Sequence, residues 1–83
     1  MALLTGSNAV NTPFTPAAGD FIVQVTGAGQ IQLMRRNTSG DTFVPADMLN
    51  AGAYVVANPV AGAQYQFQAA PGASSSPTFR ADQ

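Results

Sequence analysis

The side chains capable of chemistry in this chain are few. They are Arg35, Arg36 and Arg80, the four aspartates Asp20, Asp41, Asp47 and Asp82, and the rings of Tyr54, Tyr65 and Phe67. The 83 residues contain no His and no Cys. Without these, no serine or threonine has an imidazole to activate it and no thiolate nucleophile exists, so the common hydrolytic triads and dyads are excluded. Paired carboxylates can run glycoside hydrolysis. Asp41 and Asp47 are close in sequence, but they flank a short strand with nothing obvious in the sequence to make one an acid and the other a base. A transition-metal site would have to be assembled from scattered aspartates, so neither a metal nor another cofactor is expected. Gly27-Ala28-Gly29 carries two glycines of a phosphate loop, but no helix follows and no lysine completes it. Asn37-Thr38-Ser39 matches a glycosylation sequon, but without a secretion signal the match reads as chance, and turn chemistry explains all three residues. The chain is expected not to be an enzyme.

What remains is binding through apolar and polar surface. Tyr54, Tyr65 and Phe67 together would make an aromatic platform for a sugar ring. Tyr65 and Phe67, however, share the apolar face of one strand and are better explained as core, which leaves Tyr54 as the candidate surface ring. Charged residues make up 8% of the chain, against about 25% in an ordinary soluble domain. Three arginines and a net charge of −1 cannot neutralise the run of phosphates on which nucleic-acid affinity depends. No apolar run approaches the roughly 18 residues that span a bilayer, so no membrane partner is expected. The start, Met-Ala-Leu-Leu-Thr-Gly, lacks the basic and apolar regions of a signal peptide, which points to synthesis in the cytoplasm.

The elements that must position these side chains are strands. Phe21, Val23 and Val25 alternate with Ile22, Gln24 and Thr26, and Ile22 on the second face implies partial cover there. Gly27-Ala28-Gly29 then reads as a short hairpin turn into Gln30 to Arg36, where Ile31 and Leu33 face the core and Arg35 lays its stem over the core edge. The Asn37-Thr38-Ser39-Gly40 turn, across which Arg36 and Asp41 face one another, leads to a third short strand carrying Phe43 into the core. This makes strand, turn, strand, turn, strand a β-meander from Asp20 to Val44. Pro45 belongs at a sheet edge or strand end, because it has no N–H for a ladder. Asp47 to Asn50 reads as a single helical turn, Ala53 to Ala57 as a fourth strand, and Asn58-Pro59 as a turn. Ala63 to Ala69 is the plainest strand, with Ala63, Tyr65, Phe67 and Ala69 on one face and Gln64, Gln66 and Gln68 on the other. That glutamine row is either solvated surface or a polar contact face. The loop from Ala70 to Pro77 precedes a last strand, Thr78 to Ala81, with Phe79 inward and Arg80 outward.

The fold class implied is all-β: a small antiparallel β-sandwich or β-barrel of about six short strands over residues 20–83. Residues 1–19 read as an extended N-terminal arm, with Pro13 and Pro16 holding Thr12 and Thr15 extended. Leu3, Leu4, Val10 and Phe14 are the arm's candidate anchors on a neighbouring subunit or a larger body. A domain of this size buries only about 60% of its unfolded surface, and with no disulfide or metal to help it, oligomerisation or docking on a larger body is the support left.

The run from Gly27 to Val44, with Gln-Ile-Gln-Leu-Met-Arg-Arg and Asn-Thr-Ser-Gly-Asp-Thr-Phe-Val, resembles small virion proteins of tailed bacteriophages. The resemblance continues in Asn58-Pro59-Val60-Ala61-Gly62-Ala63-Gln64-Tyr65-Gln66-Phe67. It implies a structural protein of the capsid-decoration, or cement, type, a homo-oligomer, trimer or dimer, present in many copies on the capsid surface of the virion, with the major capsid protein as its partner. A tail, collar or fibre component, or a module binding a host glycan through Tyr54, stands as the alternative reading. In the first reading the arm from Met1 to Thr12 and the sheet edges make the contacts, and removal of the arm leaves the β-domain folded.

Overall fold

The structure, a computed structural model, describes residues 3, 10–27, 29–60, 62–71 and 77–83. Six strands follow one another: β1 Phe21–Thr26, β2 Ile31–Arg36, β3 Val44–Leu49, β4 Gly52–Val56, β5 Gln64–Ala69 and β6 Thr78–Asp82. They form two three-stranded antiparallel sheets, ordered β4-β1-β6 and β3-β2-β5. The fold is a small antiparallel β-sandwich.

The period-two pattern of β1 is realised in full, with Phe21, Val23 and Val25 at 0–2% exposure and their alternate neighbours turned outward. The expected hairpin between β1 and β2 is not formed. These two strands lie in different sheets, and the chain crosses from one layer to the other between Thr26 and Ile31. The physical reason is the apolar faces themselves. A hairpin would set Phe21, Val23, Val25, Ile31 and Leu33 on one side of a single sheet, whereas splitting the strands lets each row pack against the other. Gly27 and Gly29, at φ of 96° and 103°, supply the left-handed backbone of this crossover.

The β2–β3 connection is a hairpin, and its turn is longer than the sequence implies. Phe43 lies outside the strand, half-buried, with the Arg36 guanidinium 4.3 Å from its ring centroid, instead of in the core. Asp47, Met48 and Leu49, expected in a helical turn, belong to β3, because Leu49 opposite Ile31 fills the core at 1% exposure. Pairing shifts between Leu33 and Met34, where Leu33 faces Asp47 and Met34 faces Pro45, so Ala46 is the extra residue of a bulge. Pro45 sits on an edge strand, where the missing N–H is tolerated.

The core is aromatic. Phe21 and Phe79 come from one sheet and Tyr65 and Phe67 from the other, and Phe14 is inserted among them. Phe14 lies edge-on to Phe21 at 5.7 Å and stacked on Phe67 at 5.9 Å. Phe67 meets Phe79 at 4.6 Å across the sandwich. Phe14 also forms a two-way backbone bridge with Tyr65, with N···O distances of 2.8 and 2.9 Å. Further along the same edge the Asn11 N–H donates to the Phe67 carbonyl at 2.7 Å, and the Leu3 N–H donates to the Ala81 carbonyl at 2.9 Å on the edge of β6. The described part of the arm therefore lies along the β5 and β6 edges of its own sandwich.

Candidate interaction surface

Pairing register places two rows of side chains on the outer face of the β4-β1-β6 sheet. One row is Val55, Ile22 and Asp82; the next is Ala53, Gln24 and Arg80. Ile22 is 55% exposed and Val55 65% exposed, and they stand directly opposite each other on neighbouring strands. Around them is an open groove of about 210 Å³ with predominantly apolar walls. The cover over Ile22 implied by its apolar character is not supplied by the described residues of this chain.

One margin of the groove is ionic. Arg80 Nε lies 2.7 Å from Asp82 Oδ2, two residues along the same face of β6. The hydrogen bond from Arg80 holds the Asp82 carboxyl below its ordinary value, and the charge of Arg80 acts in the same direction. Reciprocally, the bond and charge of Asp82 raise the Arg80 pKa. A depressed carboxylate stabilises the fold above its unfolded pKa, about 3.9, and that contribution is lost as pH falls through the lower folded value. Solvent exposure of the pair keeps it small and salt-sensitive. Chemically, this face can accept an aliphatic or aromatic group packed over Ile22 and Val55 and offer a guanidinium and a carboxylate at its rim.

Of the residues singled out by sequence, Phe14 is 8% exposed within the chain's own core, and Leu3 and Val10 are half-buried against that core. Leu4 lies outside the described residues. Tyr54 faces the core side of β4, opposite Val23, and is half-buried. Its hydroxyl donates to the Asn50 carbonyl and accepts from the Asn50 N–H, both at 2.9 Å. The ring therefore does not stand on the surface as a sugar platform would require. Tyr65 and Phe67 are core residues, as their shared face implies. Arg36 meets Asp41 through its backbone and not its carboxylate: Arg36 Nη1 donates to the Asp41 carbonyl at 3.4 Å and Nε to Gln64 Oε1 at 2.8 Å, while Asp41 Oδ2 accepts from the Thr38 N–H at 3.2 Å. Of the glutamine row, Gln66 is buried at 7% exposure and Gln64 and Gln68 are half-buried, so the row is not plainly solvated.

The Ile22/Val55 face was not legible in the sequence, because the β1–β4 pairing joins Ile22 to a residue 33 positions further along the chain. The one local signal was Ile22 itself, an isoleucine on the outward phase of an alternating strand. Among the described residues no three His, Cys, Asp or Glu side chains come together as a metal site would need. Compared with known proteins, the chain matches no family model, no curated protein and no solved structure.

Proposed function

We propose that this chain is a non-enzymatic virion structural protein that binds the outer surface of a bacteriophage capsid, through the major capsid protein, and stabilises the shell. The observation that carries the reading is the exposed Ile22 and Val55 pair on one sheet face of a domain that is only 8% charged. Such a face loses little on desolvation and gains from contact with another protein surface. The resemblance of Gly27 to Val44 and Asn58 to Phe67 to small tailed-phage virion proteins gives that surface its setting. Many copies on a lattice turn modest contacts into durable attachment.

Particles assembled without the protein, when mixed with the purified chain, are expected to take it up at regular lattice positions visible by cryo-electron microscopy and to resist heat better. Ile22→Asp is expected to weaken uptake by at least about tenfold, the equivalent of losing one buried aliphatic contact. Normal occupancy by that variant would remove this face from the attachment, and absence from shells with density on a tail would overturn the capsid reading.

A further inference from the structure

The four edges of the sandwich are treated differently. The β5 edge is bonded by Phe14 and Asn11 and the β6 edge by Leu3. The β3 edge carries Pro45, Asp47 and the bulge at Leu33/Met34, all of which discourage a further strand. For β4 no backbone bond to its outer side occurs among the described residues. From Asn50 to Asn58 there is neither a charge nor a proline, and Tyr54-Val55-Val56 are strong strand formers. A strand of this kind is the ordinary template for edge pairing.

We propose that β4 pairs antiparallel with β4 of a second copy of this chain, joining two β4-β1-β6 sheets into one continuous six-stranded sheet about a two-fold axis. The occupant is a second copy because the strand is complementary to itself. A two-fold keeps like faces on the same side, so Val55 lies opposite either Val55 or Ala53 of the second strand, an apolar neighbour in both registers. An uncharged strand brings no like charges together, and Arg80 and Asp82 remain two strands away on β6. The added strand, about 4.8 Å from β4, also covers the flank of the 65%-exposed Val55. This inference does not rest on the virion reading, since its readout is mass in solution and not occupancy of a particle.

Analytical ultracentrifugation of the full chain is expected to give twice the 8.5 kDa chain mass. Val55→Lys and Val55→Glu, both at an exposed position, are each expected to be folded by circular dichroism, with dimerisation weakened at least about tenfold by the like charges. An equimolar mixture of the two is expected to recover the dimer. Hydrogen exchange should find alternate β4 amides protected in the wild-type dimer and fast in the Val55→Lys chain. A wild-type monomer at about 100 μM, a Val55→Lys chain that remains dimeric, or a dimer whose outward β4 amides exchange freely would each overturn the proposal. So would a monomeric chain whose β4 becomes protected only on adding a different protein.

Discussion

Phe14 stands outside every strand yet touches Phe21, Tyr65 and Phe67. Its ring spans both layers, and its backbone is bonded to Tyr65 in both directions. Phe14→Ala would leave a cavity where three rings converge, and the cost expected is about 3–5 kcal/mol, the range for a buried phenylalanine. Total stability for 83 residues is on the order of 4–12 kcal/mol, so the variant should lose a large share of it. Urea unfolding followed by tyrosine fluorescence measures this directly, and a midpoint within error of wild type would mean that the ring is peripheral. The aromatic character of Phe14 was visible in the sequence, but its destination was not. A segment with two prolines and no alternation gives no period from which to infer a face, and the contact partner lies some 50 residues away at Tyr65 and Phe67. Tyr65 and Phe67 were legible because β5 alternates without a break.

At the scale of elements, strands were legible and their neighbours were not. Phe21, Val23 and Val25 mark β1 by local alternation, which depends only on that strand. Whether Gly27 to Gly29 closes a hairpin or carries the chain to the other layer depends on what lies opposite, and both outcomes use left-handed glycines. Asp47 to Asn50 look helical over four residues, and the first three become strand because Leu49 is needed opposite Ile31. The candidate interaction face suffered the same limit, since Ile22 acquires its meaning only beside Val55. The crossover makes a testable demand on Gly27. At φ 96° any L side chain is strained, although a Cβ there would meet Pro77 Cα no closer than 3.8 Å, an ordinary contact. Gly27→Ala should therefore destabilise by about 1–2 kcal/mol through the backbone alone. Gly40→Ala, where φ is not in that range and nothing lies within 4 Å, should be neutral or slightly stabilising. Equal effects of the two substitutions in thermal unfolding would show that the crossover does not depend on a left-handed residue.

For the molecule as a whole, the described part of the arm and the sandwich are tied together. The β5 and β6 edges lie on the same side of the two layers, and Leu3, Asn11 and Phe14 bond to them in turn. At the other end of the chain the Gln83 side-chain amide donates to the carbonyls of Ala17 and Gly19 at 2.8 and 3.0 Å, and its oxygen accepts from the Ala17 N–H at 2.7 Å. Deleting residues 1–12 removes the bonds from Leu3 and Asn11, each worth about 1 kcal/mol net. It also removes the half-buried Leu3 and Val10, together worth about 1–2 kcal/mol of apolar burial. The expected result is a chain that is less stable by about 3–4 kcal/mol and that opens the β6 edge at Ala81 and the β5 edge at Phe67 to association, while Phe14 still bonds Tyr65. This has a direct bearing on any experiment that reads the arm through attachment to a larger body, because reduced attachment could follow from a weakened fold. The two effects separate by concentration and denaturant. If the arm serves the fold, the truncated chain unfolds at a lower urea midpoint with no partner present and self-associates more readily as concentration rises. If it serves only a partner, the midpoint matches the full chain and the loss appears solely in the binding measurement.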